Sequence, residues 1–301
     1  MAPIDRRVLL KALPLGGVAW LLGTSRGKRS RLERPEIEIE PFDPPTDEGA
    51  APPHHDHSGD PVSARQLQKI RDFDRPYAED IFMPEARLET FFSLSARLRR
   101  AQRIIGHGHF NLLSFDDLRT FARRYPRIGK LPQGEVDMLE ELFHTEATRY
   151  GFRGKKVITE VTDRIDPRDV ESVRGTGHYL LKGDSLDKYQ RIRADLGETI
   201  FLTSGVRSVV KQFELFLSKA VRCGGNLSQA SRSLAPPGYS YHGVGDFDLG
   251  RVGFGLKNFS EEFANTDEYR KLIDLGYVSI RYTETNPFGV RHEPWHIKIT
   301  T

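Results

Sequence analysis

Three short segments toward the C-terminal end of the chain carry residue types that can perform chemistry. His242 and Asp248 lie in a glycine-rich stretch, and Glu293 stands three residues before His296. Two imidazoles and a carboxylate can bind one divalent metal ion, and a glutamate beside that ion can take a proton from a water molecule. The stretch with His242 and Asp248 alone also fits a glycine-rich turn with a hydrogen-bonded histidine, and the segment with Glu293 and His296 alone also fits an edge strand. These residues by themselves leave both interpretations open.

The third segment is Ser204 to Ser208, which contains Arg207. It directly follows a predicted strand and opens a predicted helix. An arginine there can direct its planar set of N–H donors at a substrate carboxylate or at a developing oxyanion. A solvated surface arginine at the start of a helix is the competing interpretation.

Taken together and in order, the three segments resemble a known enzyme family. They read S-G-x-R-S, then S-x-H-x-x-G followed by D, then E-P-W-H. This order resembles the VanY-type zinc D-alanyl-D-alanine carboxypeptidases over residues 199–299, about a third of the chain. The resemblance implies a bound Zn²⁺ ion and assigns roles to five residues. The implied metal ligands are His242, Asp248 and His296, with Glu293 as general base and Arg207 as the group that binds substrate or stabilises the oxyanion.

The activity implied by this resemblance is hydrolysis of a peptide bond in peptidoglycan stem peptides, typically after a D-alanine. An endopeptidase that cuts peptidoglycan cross-links would use the same residues. A non-catalytic cell-wall-binding protein with a degenerate zinc site is a further alternative. The presence of both Glu293 and Arg207 favours a hydrolase, because binding alone does not need a positioned base.

The spacing of the implied ligands departs from the family pattern by one residue. The family places its aspartate seven positions after the first histidine, whereas here Asp248 is six positions and Asp246 four positions after His242. Leu249 follows Asp248 as in the family, which favours Asp248. A shift of one residue in a strand turns its side chain to the other face, and Asp246 would then bind the metal or the site would bind it poorly.

The secondary structure predicted around these residues indicates an α+β fold. Strands and helices alternate irregularly after Gly151, with glycine-rich loops between them. The resemblance implies a small antiparallel sheet with flanking helices, like that of the zinc DD-peptidases. The β-branched and apolar patterns predict strands at residues 156–161, 199–203, 278–282 and 295–299, and helices at 186–196, 209–221 and 263–275.

A helical region is predicted before this peptidase domain. Four stripes of apolar residues at helical spacing occur between Asp60 and Gly151, and the fourth runs from Val136 to Tyr150. Aromatic stripes of this kind are typical of a core, and His107 and His109 are interpreted as part of a turn. The predicted organisation is therefore an N-terminal segment (1–30), a linker (31–60), a helical region (61–151) and a zinc peptidase domain (152–301).

The N-terminal segment has the layout of an export signal. Arg6 and Arg7 precede a 12-residue apolar stretch, Ala12 to Gly23, which is too short to span a membrane. The paired arginines resemble the twin-arginine pattern, which predicts an exported or periplasmic protein. No clear cleavage site follows. If the segment stays uncleaved, it is the one part of the chain that is expected to contact a membrane. Residues 31–60 are rich in proline and acidic residues, which is typical of an extended linker.

Composition excludes several other classes. The chain has 301 residues, with 45 basic and 42 acidic side chains and a net charge of +3, a balance that argues against a nucleic-acid partner. Its 38% hydrophobic content is sufficient for a core. Because Cys223 is the single cysteine, an internal disulfide and a cysteine zinc cluster are both excluded. A metal ion would have to be bound by histidines and carboxylates.

Overall fold

The computed structural model describes residues 62–299. All of these residues belong to one compact unit. The predicted export signal (1–30) and linker (31–60) lie outside the described range. Within residues 62–299, no helix combines the length and the apolar character needed to cross a membrane.

Residues 62–299 form nine α-helices and five strands. The helices are α1 (Ala64–Arg71), α2 (Leu88–Ile105), α3 (His107–Asn111), α4 (Phe115–Arg124), α5 (Gln133–His144), α6 (Asp184–Leu196), α7 (Val209–Arg222), α8 (Leu227–Ser231) and α9 (Asp267–Asp274). The strands are β1 (Val170–Val173), β2 (His178–Leu181), β3 (Ile200–Ser204), β4 (Phe247–Arg251) and β5 (His296–Ile297).

The first helices form where capping residues and apolar spacing coincide. Ser114 accepts a hydrogen bond from the backbone N–H of Asp117 and begins α4, as expected for a serine N-cap. Helix α2 packs against both α5 and α7, so that Phe91, Leu139 and Phe213 share one apolar core. Residues from both sides of Gly151 therefore contribute to the same core, in which α7 packs against the helices of the preceding region.

The sheet that carries the candidate site has the antiparallel order β3–β4–β5. In β4, Phe247 and Leu249 point into an apolar core, while Asp248 points to the opposite face because side chains alternate along a strand. A β-bulge interrupts the pairing of β3 and β4 between Leu202 and Ser204. Small antiparallel sheets with flanking helices and a preceding helical region confirm the predicted α+β class.

A hairpin of β1 and β2 lies beside the loop that follows β3. The backbone N–H of Val206 donates to the carbonyl oxygen of Tyr179 in β2 (2.8 Å). A Cβ atom at Gly205 would collide with the same carbonyl oxygen. The glycine of the S-G-x-R-S segment is therefore required by close backbone approach, which fixes the path of the chain into Arg207.

Several predicted elements differ from those observed. Residues 156–161 form no strand, and the N–H groups of Val157 and Ile158 both donate to the carbonyl of Gly238 instead. The predicted strand at 278–282 is reduced to one bridge, between Ile280 and Ile297. Both segments have β-branched composition but lack a neighbouring strand of sufficient length, and a strand needs such a partner.

Three further predictions about helical segments were incomplete. The fourth apolar stripe is divided, because α5 ends at His144 and residues Ala147–Tyr150 form a separate 3₁₀ turn. His107 and His109, interpreted as a turn, lie in the short helix α3. Of the helix predicted at 263–275, only the second part is α-helical, and it forms α9. A 3₁₀ turn at Glu261–Asn265 precedes it.

Candidate metal centre

Two of the predicted ligands lie opposite each other on neighbouring strands. Asp248 in β4 pairs with His296 in β5. Residues paired in this way project their side chains to the same face of the sheet. His296 Nδ1 lies 3.1 Å from Asp248 Oδ1. The strand register thus brings together two residues that are 48 positions apart.

The third predicted ligand, His242, comes from a 3₁₀ turn, Tyr241–Val244, that leads into β4. Its Nδ1 atom lies 2.8 Å from the carbonyl oxygen of Gly205. Because a carbonyl oxygen only accepts hydrogen bonds, Nδ1 must carry the proton, and Nε2 keeps its lone pair. Nε2 lies 3.3 Å from Asp248 Oδ1, so the lone pair is on the side of the ring that faces Asp248.

The donor atoms of these three residues fit a tetrahedral metal site. Asp248, His242 and His296 are all buried and each offers one ligand atom within 4.8 Å of the others. Zinc bonds of about 2.0–2.1 Å in a tetrahedron place neighbouring ligand atoms roughly 3.3 Å apart. The two separations that involve Asp248 Oδ1, 3.1 Å to His296 Nδ1 and 3.3 Å to His242 Nε2, match that requirement, and all three ligand atoms lie within 4.8 Å of one another. Two imidazoles and one carboxylate are also ligands that zinc prefers.

Burial and mutual charge set the protonation of the three ligands. Burial, reinforced by Arg207, lowers the pKa of His242. Burial favours protonated Asp248, but the neighbouring histidines and Arg207 outweigh it and hold its pKa well below the usual range. Burial also opposes the charged form of His296, yet hydrogen bonds to Asp246 and Asp248 outweigh it and raise the pKa of His296 to about 9.

Arg207 contacts the predicted ligand Asp248 directly. Its Nη2 group donates to Asp248 Oδ2 (2.8 Å), and its Nε group donates to Ser204 Oγ (2.8 Å). The bulge in β3 places Ser204 opposite Asp248, on the metal side of the sheet. Arg207 therefore holds one carboxylate oxygen of Asp248 and leaves the other, Oδ1, facing the two histidines.

Glu293 is buried at the same site. Its N–H donates to the carbonyl of Tyr282 (3.0 Å), and its own carbonyl accepts from the N–H of His296 (3.1 Å). Burial raises the pKa of Glu293 to about 7, although Arg291, 3.6 Å away, partly opposes this change. A carboxyl group with this pKa can both accept and return a proton near neutral pH.

One cavity of about 450 Å³ brings the five predicted site residues together: Arg207, His242, Asp248, Glu293 and His296 all line it. The sequence interpretation missed other residues of its wall. Phe73 reaches the cavity from the segment after α1, and the Arg291 guanidinium lies 4.7 Å from both the Phe73 and the Trp295 rings. Phe73 continues the apolar helical spacing of Leu67 and Ile70, so no signal in the sequence distinguishes it from a core residue.

Asp246, the alternative ligand, lies on the far side of the His296 ring from the other ligand atoms. Its Oδ2 atom is 2.9 Å from His296 Nε2, on the side of the ring away from Nδ1. The Arg281 Nε group donates to the same oxygen (2.8 Å). Asp246 is fully buried and is absent from the lining of the cavity.

With this geometry in place, comparison with known proteins shows what the C-terminal portion is similar to. Residues 183–300 match the family model of VanY, described as D-alanyl-D-alanine carboxypeptidase. The family resemblance that the motifs indicated is thereby confirmed for this part of the chain. No curated protein matches the chain.

Three solved structures illustrate the similarity. The LdcB LD-carboxypeptidase is 22% identical over 45% of this chain and 69% of its own, with a TM-score of 0.37. A mutant of the vancomycin-resistance D,D-pentapeptidase VanY in complex with Zn(II) is 24% identical over 44% and 78%, with a TM-score of 0.35. VanYB in complex with D-alanine-D-alanine is 25% identical over 44% and 77%, also with a TM-score of 0.35. These TM-scores, all below 0.5, indicate a partial structural similarity.

Proposed function

We propose that this protein is a zinc-dependent peptidase that removes the terminal D-alanine from peptidoglycan stem peptides. The family match over residues 183–300 supports a carboxypeptidase. The observation that carries the proposal is the placement of three ligand atoms and the buried Glu293 around one cavity. A binding protein has no need of a buried carboxyl group with a pKa of about 7 beside a metal site.

His242, Asp248 and His296 would hold the ion. A zinc ion there supplies polarisation of the scissile carbonyl and activation of a water molecule. Glu293 accepts the proton that the attacking water loses, and it then delivers this proton to the nitrogen of the leaving amino acid. Arg207 keeps Asp248 oriented and, from the wall of the cavity, adds positive charge where the oxyanion develops.

The cavity wall also suits the end of a peptide. Arg222 and Arg291 line it and place positive charge where a terminal carboxylate can bind. Gln212 Oε1 and Ser233 Oγ are buried in the same wall and lack hydrogen-bond partners within residues 62–299. A buried polar atom without a partner costs about 1–3 kcal/mol, so the N–H and C=O groups of a bound peptide would stabilise both.

The test is mass spectrometry of purified muropeptides after incubation with the full chain. The substrates are monomeric pentapeptides, monomeric tetrapeptides and cross-linked dimers, each with added zinc and with a chelator. Glu293→Gln serves as the matched inactive variant. We expect the unaltered protein to remove one alanine from pentapeptides, and the chelator and the variant to abolish this reaction.

Other outcomes would contradict this activity and indicate a different one. Alanine loss from tetrapeptides would indicate an LD-carboxypeptidase, and conversion of dimers to monomers would indicate a cross-link endopeptidase. Retention of all substrates, together with binding to intact peptidoglycan, would indicate a cell-wall-binding protein.

We further propose that the protein is exported to the periplasm by the twin-arginine route, where stem peptides occur. The support is the sequence pattern at Arg6 and Arg7. Residues 1–60 fused to a folded reporter should direct its export, and replacing both arginines by lysine should retain the reporter in the cytoplasm. Export of both fusions to the same extent would contradict the proposed route.

A further inference from the structure

The two nitrogen atoms of the His296 ring face two different aspartates. Nδ1 lies 3.1 Å from Asp248 Oδ1, and Nε2 lies 2.9 Å from Asp246 Oδ2. One imidazole cannot direct both nitrogens at a single ion, because they are on opposite edges of the ring. Asp246 and Asp248 therefore cannot both share an ion with His296, and each must have a different role.

The surroundings of Asp246 are those of a fixed hydrogen-bond acceptor. Its Oδ2 atom accepts from Arg281 Nε (2.8 Å) as well as facing His296 Nε2. Its Oδ1 atom accepts from the backbone N–H of Ile299 (2.8 Å) and lies 3.4 Å from Arg281 Nη2. Both oxygens are thus bound within the protein, in a side chain that is fully buried.

Arg281 is in turn held in place. Its guanidinium lies 3.5 Å from the centre of the Tyr241 ring. The backbone N–H of Asp246 donates to the carbonyl of Tyr241 (3.2 Å), so the same turn that carries His242 also anchors Asp246. The position of Asp246 relative to both histidines is consequently set by one connected group of residues.

We propose that Asp246 is a positioning residue, which holds the proton of His296 on Nε2 so that the Nδ1 lone pair faces the metal site. Arg281 fixes the carboxylate for this purpose. This inference rests on the metal site proposed above and does not depend on the substrate. A carboxylate that accepts the second N–H of a ligating histidine orients the ring and makes it a better ligand.

The first test measures zinc affinity by competition with a chromophoric chelator. We expect Asp246→Ala to bind zinc about 10- to 100-fold more weakly than the unaltered protein. Asp246→Asn should lose less affinity, because its amide oxygen can still accept the Nε2 proton. The matched control is Asp80→Asn, since Asp80 is equally buried and also paired with an arginine, Arg232, but does not line the cavity. The control should keep the affinity of the unaltered protein.

The second test is a spectroscopic signature that a merely structural role would not produce. Long-range ¹H–¹⁵N spectra of the zinc-loaded protein should show His296 protonated at Nε2, with its signal identified by its absence in His296→Gln. A proton on Nδ1 would overturn the inference. So would equal zinc affinities of the unaltered protein and Asp246→Ala. Failure of the unaltered protein to bind zinc at all would instead overturn the metal site, and this inference with it.

Discussion

The two faces of the β3–β4–β5 sheet have opposite chemistry although they are built from the same strands. One face buries Leu202, Phe247, Leu249 and Ile297 in an apolar core. The other face carries Asp248 and His296, which are equally buried but ionisable. Alternation along each strand separates the two sets, since neighbouring residues point to opposite sides.

The two faces are stabilised in different ways. The apolar face depends on area removed from water and on close packing. The polar face depends on pairing, because a buried charge without a partner is strongly destabilising. The bulge in β3 interrupts the regular alternation of side chains after Leu202, so Ser204 pairs with Asp248 and belongs to the polar face. Arg207, which follows Ser204 closely, is then within hydrogen-bond distance of Asp248.

The largest expected effect is a loss of catalytic activity at the polar face without a loss of metal binding. Glu293→Gln should lower kcat/KM about 10²- to 10⁴-fold, because an amide cannot accept the proton of the attacking water. Zinc content should stay the same, since Glu293 is outside the ligand set. Steady-state kinetics and metal analysis of the same sample check both statements. Full activity of the variant would refute the assigned role.

On the apolar face, Phe247→Ala should act on stability instead. Phe247 is fully buried, so its truncation should lower the free energy of unfolding by about 3–5 kcal/mol. Urea denaturation measures this change. Leu256→Ala is the control, because Leu256 is 88% exposed and its truncation should leave stability unaltered. Zinc affinity of the folded Phe247→Ala protein should remain that of the unaltered protein, and a large loss would show that the faces are not independent.

A smaller effect is expected where the polar face meets the bulge. A Cβ at Gly250 would lie 2.5 Å from Thr203 Cγ2 and 2.9 Å from Asn258 Nδ2. Gly250→Ala should therefore destabilise the protein by about 1–3 kcal/mol through overpacking. Gly134→Ala is the matched control, because the nearest atom would be 4.0 Å away. Equal thermal unfolding of the two variants would contradict the tight contact at the bulge.

The last prediction concerns protons on the polar face. The pKa of His296 in the metal-free protein is about 9, so at pH 7 the ring is protonated at both nitrogens. Zinc needs the Nδ1 lone pair, and its binding at pH 7 should therefore release about one proton. Calorimetry in buffers of different ionisation enthalpy measures this number. Release should decrease as the pH rises through 9, and an observed enthalpy independent of the buffer at pH 7 would contradict it.

Much of the fold could be predicted from local patterns. The helices predicted at 186–196 and 209–221 are observed as α6 and α7. Strands were predicted less well, because β composition at 156–161 does not reveal whether a partner strand exists. The hairpin of β1 and β2 was missed for the same reason, since pairing is a property of two segments.

The chemistry available to this protein can be read from the amino-acid sequence: it contains the five residues Arg207, His242, Asp248, Glu293 and His296 in this order, and a single cysteine excludes a cysteine metal cluster. Which aspartate faces which nitrogen of His296 is set by the packing of separate segments. That choice depends on the register of β4 against β5 and on Arg281, which reaches Asp246 from 35 positions away. Local spacing cannot specify either one, because register and long-range ion pairs arise only when separate segments pack together.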